Sequence, residues 1–265
     1  MTTRGFVTGQ AEVGFGSRMM AHVPVGMVVP VIAWQFRYFE PELGRLAELV
    51  PQDRGAVDIG VWWGPWTWWL ARRVPRVDSF EPNLDLVNRL QPIMPPNVTI
   101  HPVALSDRAG RADFWVPSGG TGTEGRGSLE HDGGPGSGWR HQPALTRRLD
   151  DFELEDVGFV KIDVEGHEFP VLQGAANLID RERPNVLVEI ELRPDRPGQI
   201  DDIIEFFSDH SYFGEFLHRA RWLPIAELDR RATQVMATRA AAYGYVTNLL
   251  VYSRRYIHNF VFRPH

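Results

Sequence analysis

The residues with the clearest chemical potential stand at the ends of predicted β-strands. Asp58 opens the pattern Asp-x-Gly-x-x-x-Gly, which contains Gly60 and Gly64 and lies between a predicted strand and a predicted helix. In open parallel sheets the ligand sits at the carboxyl ends of the strands, near the reversal in strand order. Gly60 allows a sharp turn and a close approach to a ligand, and Gly64 allows the helix to start against the strand. The segment is either a ligand-binding loop or a tight turn without a ligand.

An acidic residue also follows the second predicted strand, at Glu81 in the sequence FEPN that ends with Asn83. A carboxylate at this place can accept hydrogen bonds from both hydroxyls of a ribose, as in adenosine-containing ligands. After the third strand, Ser106 and Asp107 would supply polar groups at the adenine end. The plainer alternative for Glu81 is a solvated residue that caps the following helix.

Charge is most concentrated in the segment KIDVEGHE, residues 161–168. Side chains alternate along a strand, so Lys161, Asp163 and Glu165 share one face. Such a triplet cannot lie unpaired in a sheet core. We therefore expect it to reach a polar cleft at the strand end or to pair internally. Lys161 is the only lysine of the chain.

The elements that must position these residues form a regular alternation. From residue 56 onward, short apolar runs rich in β-branched residues alternate with helical patterns. This alternation predicts an α/β fold, with a parallel sheet and helices on both faces. The run YVTNLLVYS from residue 245 predicts a last strand, at the sheet edge or inserted as an antiparallel partner.

Two stretches outside this alternation shape the expected organisation. We predict an N-terminal arm or lid over residues 1–40, including an apolar segment at 23–34 that we expect to be buried and extended. One domain would follow over residues 41–265, beginning with a helix. Glycine occupies nine of the 22 residues between 117 and 138. That content predicts a long loop, which serves either as a substrate lid or as a surface excursion.

Composition narrows the classes of function. With no cysteine in 265 residues, disulfides, thiolate metal sites and cysteine nucleophiles are excluded, and a reducing cytoplasm fits. The net charge of −6 and the lack of a basic patch predict no nucleic-acid partner. The apolar segment at 23–34 is too short for a membrane span and makes a poor signal peptide, so no membrane partner is expected. A homo-oligomer is left open.

Taken together, these motifs resemble the FkbM-type family of S-adenosylmethionine-dependent methyltransferases. The resemblance covers roughly residues 40–253, and its most specific part is KIDVEGHE. It also includes ALSD with Gly110 after it, GSL at residues 127–129, and a terminal TNLLVYS. It implies a class I methyltransferase fold, Rossmann-like, with a seven-stranded, mostly parallel sheet, and O-methylation of a small sugar-like or natural-product acceptor. The implied cofactor is S-adenosylmethionine, held by Asp58, Gly60, Gly64, Glu81, Asn83, Ser106 and Asp107.

The first glycine loop departs from the family. Val61 and Trp62 stand where the family often has a small residue and then asparagine. Five of the chain's nine tryptophans lie between residues 62 and 69. Trp62, Trp66 and Trp69 can share one helix face, either as core packing or as an aromatic wall that attracts a sulfonium. A noncatalytic scaffold whose cofactor pocket is filled by Trp62 or Trp63 is therefore an alternative. A nucleotide-dependent oxidoreductase is another, although the glycine spacing is wrong for it.

For the chemistry implied by the resemblance, His167 is our candidate general base, because histidine titrates nearest neutral pH. Asp163 would hold the amino group of the cofactor or the acceptor, and Glu165 would orient the site. An exposed first-turn helix residue is the plainer interpretation of His167. Glu168 is expected to be structural, because a carboxylate in the first turn interacts well with the helix dipole.

A divalent metal is an open addition to this scheme. Asp163, Glu189 and Glu191 could offer oxygen ligands to Mg²⁺ at neighbouring strand ends, although no ligand spacing demands it. We do not predict a metal. A plainer role for the two glutamates is pairing with Lys161 or a nearby arginine.

Overall fold

The computed structural model describes residues 25–118, 127–129, 138–190, 198–230 and 257–265. Its strands are β1 (Gly55–Ile59), β2 (Val77–Phe80), β3 (Val98–His101), β4 (Ala104–Leu105), β5 (Gly110–Pro117), β6 (Trp139–Arg147), β7 (Val157–Ile162), β8 (Asn185–Glu189), β9 (Tyr212–His218), β10 (Arg221–Pro224) and β11 (Asn259–Pro264). Its α-helices are α1 (Val25–Phe39), α2 (Leu46–Leu49), α3 (Pro65–Leu70), α4 (Leu84–Leu90), α5 (Glu168–Gln173), α6 (Ala176–Glu182) and α7 (Gln199–Asp209). Short 3₁₀ helices cover Pro41–Arg45, Gln91–Ile93, Leu149–Phe152 and Ile225–Glu227.

The central sheet has eight strands in the order β10-β9-β11-β8-β7-β1-β2-β3. Strands β1, β2, β3, β7 and β8 pair in parallel, and β11 pairs antiparallel with both β8 and β9. This order confirms the predicted α/β class I methyltransferase architecture, although the sheet has eight strands and the predicted number of seven is wrong. The eighth strand, β10, extends β9 through a two-residue turn at Arg219 and Ala220, both with positive φ, as tight hairpins require.

A second, three-stranded sheet follows β3. Its order is β4-β6-β5, and β5 and β6 form a long antiparallel pair. The predicted glycine-rich loop at 117–138 connects these two strands. Of that loop, the structure describes residues 117, 118, 127–129 and 138.

Residues 25–39 form helix α1, so the prediction of an extended segment over 23–34 is wrong in the described part. The apolar residues that α1 buries follow the helical period: Val28, Val29, Ile32 and Ala33. They pack against α3 and its tryptophans, although Pro30 lies inside the helix. None of the described helices is long and apolar enough to cross a membrane. The division of the chain at residue 40 stays a prediction.

The inserted antiparallel strand is β11 at the end of the chain. The strand expected from residue 245 lies outside the described residues. Strand β11 instead uses Phe260, Val261 and Phe262, all buried, and it fills the gap between β8 and β9. Both of its faces are covered, which is why this short segment is nearly all apolar at its centre.

The two faces of the sheet bury separate cores. On one face, Val57 and Ile59 of β1 pack with helices α5 to α7. On the other, Ala56 packs with α1 and α3, where Trp66 stacks on Phe159 with ring centroids 6.0 Å apart. Side chains alternate along a strand, so Asp58 lies on the same face as Ala56.

Candidate active site

A cleft of about 580 Å³, including its open mouth, lies at the carboxyl ends of β1, β2 and β7. Five of the ten predicted site residues line it: Gly60, Glu81, Asp163, Glu165 and His167. The other five do not line it: Asp58, Gly64, Asn83, Ser106 and Asp107. Apolar side chains complete the lining, among them Trp62, Pro82, Leu105, Phe114 and Leu129.

Gly60 is required by a close approach between two loops. Its φ is +85°, and a Cβ placed there would lie 1.7 Å from the carbonyl oxygen of Asp163. The loop after β1 therefore touches the loop after β7 through bare backbone. Gly64, with φ of +73°, caps the start of α3 and does not line the cleft.

Glu81 joins the loops that follow β1 and β2. Its carboxylate accepts hydrogen bonds from the backbone N–H of Trp62 at 3.1 Å and of Asn83 at 2.9 Å. Only 5% of Glu81 is exposed, so the expectation of a solvated strand-end residue is wrong. Burial raises the pKa of Glu81 to about 7, against the opposing effect of these N–H donors. Asn83 caps α4 by accepting from the N–H of Asp85 at 3.1 Å.

Asp58 is a buried carboxylate beneath the cleft. Its Oδ2 accepts from the Thr67 hydroxyl at 2.5 Å, and Thr67 in turn lies 2.9 Å from the Ser79 hydroxyl. Burial raises the pKa of Asp58 to about 6. Its Oδ1 is buried without a hydrogen-bond partner among the described residues. Asp58 thus connects β1, β2 and α3 through polar contacts.

Lys161 and Asp163 form an ion pair at the end of β7, with Nζ and Oδ2 2.8 Å apart. Both alternatives for the charged triplet therefore hold in part, because Asp163 lines the cleft and is also paired. Burial alone would lower the pKa of Lys161, but the charges of Asp163 and Asp58 outweigh it and raise that pKa. Glu165 lies beyond the strand, in a left-handed conformation with φ of +52°.

Further buried carboxylates extend this charged region toward α1 and β11. Glu40 accepts from the Trp66 indole N–H at 2.5 Å, and burial raises its pKa. Glu189 pairs with His258 at 2.8 Å, whereas pairing with Lys161 or a nearby arginine was the predicted alternative; Lys161 pairs with Asp163 instead. Burial raises the pKa of Glu189, and the glutamate charge raises that of His258 against the effect of burial. Sequence reasoning missed Glu40 and His258, which belong to no motif.

The metal alternative has little support in this geometry. Glu189 is engaged by His258, and Glu191 lies outside the described residues. Within the described part of the chain, no three His, Asp or Glu side chains are grouped to hold a metal ion.

His167 stands at the start of α5 and is held by a polar chain. Its Nε2 lies 2.9 Å from the Ser106 hydroxyl, which donates to Asp107 Oδ1 at 2.9 Å. A hydroxyl has one proton, and Ser106 gives its proton to Asp107, so Ser106 accepts a hydrogen bond from the Nε2–H of His167. A ring that carries its proton on Nε2 alone has its lone pair on Nδ1. Ser106 thus contacts His167 and links it to Asp107, a relation that the sequence did not predict.

Glu168 is a buried structural residue, as expected from its place in the first turn of α5. Its Oε1 accepts from the N–H of Gly166 at 2.8 Å, and its other oxygen accepts from the side-chain amide of Gln199. Burial raises its pKa.

The tryptophans divide between the two predicted roles. Trp66 and Trp63 are buried in the core, and Trp69 packs against α1 and donates to the carbonyl of Ala33 at 2.8 Å. Trp62 lies in the cleft wall, where its ring contacts Phe36 with centroids 5.0 Å apart. The cleft stays open beside Trp62, which does not support the occluded pocket of the scaffold alternative.

Comparison with known proteins adds a family match. The model of the methyltransferase FkbM domain matches residues 55–213. No curated protein matches the chain.

Several solved structures are similar to the chain. An FkbM methyltransferase from Methylobacillus flagellatus KT is 16% identical with a TM-score of 0.49, over 80% of this chain and 44% of that one. This chain therefore spans less than half of the length of the Methylobacillus chain. A putative rRNA methylase from Clostridium thermocellum is 10% identical, covering 85% of this chain and 94% of that chain, with a TM-score of 0.46. A complex of the Trm112 methyltransferase activator with a putative methyltransferase, from Haloferax volcanii, gives 9% identity, coverages of 91% and 94%, and a TM-score of 0.43.

Proposed function

Because the chain belongs to the FkbM family of methyltransferases, we propose that it transfers a methyl group from S-adenosylmethionine to a hydroxyl of a small sugar-like or natural-product acceptor. The single observation that carries the proposal is the convergence of Gly60, Glu81, Asp163 and His167 in one cleft. Membership of a methyltransferase family also argues against the alternative of a nucleotide-dependent oxidoreductase.

The residues around the cleft fit an adenosine-bearing sulfonium. Glu81 offers a carboxylate to ribose hydroxyls, and Asp163 offers one to an amino group. Gly60 presents backbone without a side chain. Pro82 and Leu105 offer apolar surface for a purine.

The remaining predicted residues do not line the cleft, and three of them hold the loops around it. Asp58 and Gly64 shape the loop after β1, and Asn83 fixes the start of α4. The assignment of Ser106 and Asp107 to the adenine end stays a prediction, because neither residue lines the cleft and the Ser106 hydroxyl contacts His167.

When bound, S-adenosylmethionine supplies a methyl group on a positively charged sulfur. The protein's main contribution is then to position the acceptor oxygen in line with that methyl carbon. His167 takes the proton of the acceptor hydroxyl at Nδ1, while Ser106 holds the ring in the tautomer that leaves this nitrogen basic. Glu165 orients the loop that carries His167.

The direct test is calorimetry with S-adenosylhomocysteine on the pure, folded protein. We expect saturable one-to-one binding. No measurable binding would end the cofactor proposal and favour the noncatalytic scaffold. A screen of hydroxylated small molecules for methyl uptake, read by mass, then identifies the acceptor class.

Replacing His167 by glutamine is expected to lower turnover by about 100-fold, the size typical of a lost general base. Its affinity for S-adenosylhomocysteine should stay within about twofold, because the base contacts the acceptor rather than the cofactor. Initial rates with an acceptor from the screen measure the first effect, and calorimetry the second. The control is His141→Gln on the exposed β6 strand, where the histidine pairs with Asp113. Full turnover of the His167 variant would return this residue to a structural role.

A further inference from the structure

The segment Gly127, Ser128 and Leu129 crosses from the small sheet to the cleft. Gly127 and Leu129 line the cleft, and Ser128 is buried between them. Ser128 and Trp115 of β5 exchange two backbone hydrogen bonds, each 3.0 Å long. The segment is therefore fastened to β5 by its main chain.

The side chain of Ser128 points to the loop after β7. Its hydroxyl donates to the carbonyl oxygen of Glu165 at 2.9 Å, across 37 positions of sequence. The N–H of the same peptide unit belongs to Gly166, and it donates to Glu168 Oε1 at 2.8 Å. This one peptide group is thus held at its oxygen by Ser128 and at its nitrogen by Glu168.

That peptide group needs such restraint. It joins Glu165, with φ of +52°, to Gly166, with φ of +100°. A non-glycine residue in the left-handed region is sparsely populated and persists only when its surroundings hold it. Along the chain the peptide lies between Asp163 and His167, which both line the cleft.

Gly127 packs closely against the ring of Phe114, where there is little space for a side chain. A Cβ at position 127 would lie 2.4 Å from the Cζ of Phe114, whose ring is buried in the core of the small sheet. A side chain at position 127 would therefore require the Phe114 ring or the segment to shift. Glycine lets the segment pass this close to the ring and keep the Ser128 hydroxyl on Glu165.

We infer that Ser128 is a positioning residue, which clamps the Glu165–Gly166 peptide and so holds Asp163 and His167 in register with the cofactor cleft. The catalytic part of this inference rests on the proposed function. Its structural part is that Ser128, which is bonded to β5 of the small sheet, restrains the loop after β7.

The test compares Ser128→Ala and Ser128→Thr with Ser118→Ala, a matched control on an exposed serine at the end of β5. One measurement is the affinity for S-adenosylhomocysteine by calorimetry. The other is amide hydrogen exchange, by mass spectrometry, in peptides that cover residues 163–168. A melting curve of each variant verifies folding.

Ser128→Ala is expected to weaken S-adenosylhomocysteine binding by about fivefold, the effect of one lost hydrogen bond, and to speed exchange in residues 163–168. Ser128→Thr keeps the hydroxyl and should restore both, and Ser118→Ala should change neither. Unchanged affinity and exchange in Ser128→Ala would overturn the inference, as would an equal effect in the control or a threonine variant no better than alanine. If the wild-type protein binds no S-adenosylhomocysteine, the cofactor proposal fails, and hydrogen exchange alone decides the role of Ser128.

Discussion

Glu81→Ala is expected to weaken the binding of S-adenosylhomocysteine by about 100-fold at pH 8. The variant removes a carboxylate that can accept from two ribose hydroxyls, and hydrogen bonds to charged groups contribute about 1.5 to 3 kcal/mol each. A loss of about 2.7 kcal/mol corresponds to that change in affinity. Calorimetry measures it, with Glu205→Ala on the exposed face of α7 as the control.

The same carboxyl group predicts a pH dependence of cofactor binding. Burial raises the pKa of Glu81 to about 7, so the free protein carries a mixture of neutral and ionised Glu81 at neutral pH. The ionised form accepts more hydrogen bonds, so affinity should rise between pH 6 and pH 8 and then level off. Binding at pH 7 should release protons, which calorimetry in buffers of different ionisation enthalpy detects.

The contribution of Glu81 to the free energy of unfolding should fall as the pH rises, opposite to its effect on cofactor affinity. A carboxyl group with a raised folded-state pKa favours folding below its ordinary pKa of 4.5, and this contribution is lost as the pH rises through about 7. Glu81→Gln keeps the shape of the side chain and removes its titration, so both pH dependences should flatten. This variant also separates binding from folding, because Glu81 holds the amides of Trp62 and Asn83. Unchanged affinity in the glutamine variant would refute the ribose assignment.

Lys161→Met is expected to destabilise the protein by about 3 to 5 kcal/mol at pH 8. Lys161 is 3% exposed and pairs with Asp163, and its charge also opposes that of Asp58 on the neighbouring strand. Removing the buried ammonium leaves the charges of Asp58, which is 1% exposed, and of the partly buried Asp163 uncompensated, which costs an amount of this order. Urea denaturation at pH 8 measures the change in the free energy of unfolding. Arg89→Met, which removes an exposed positive charge from α4, is the control.

Two further measurements separate charge from packing in the Lys161 variant. The deficit should shrink below about pH 5, because Asp58, with a pKa of about 6, then becomes neutral. The double variant Lys161→Met with Asp163→Asn should recover most of the lost stability, because no unpaired carboxylate is left at the pair. If Lys161→Met is as stable as Arg89→Met, the ammonium does not hold this region together.

Much of the scaffold follows from local pattern. The runs around Val57, Val77 and Val160 read as buried strands because both faces of a parallel sheet are covered, which makes each strand apolar throughout. The helices between them have the spacing that packs one face on a sheet. Helix α1 replaces the extended segment predicted over residues 23–34, because its contact with the α3 tryptophans stabilises the helix despite Pro30.

The sequence by itself therefore determined the fold class, the family, and the placement of Gly60, Glu81 and Asp163 at strand ends, with His167 shortly after Asp163. Each of those features depends on a short motif or apolar run, whose residues are close together along the chain. Only the tertiary structure decided that Glu81 is buried, that Glu189 pairs with His258, and that Ser128 holds the peptide before Gly166. Protonation and pairing depend on burial and on partners tens of residues away, and no local spacing encodes either one.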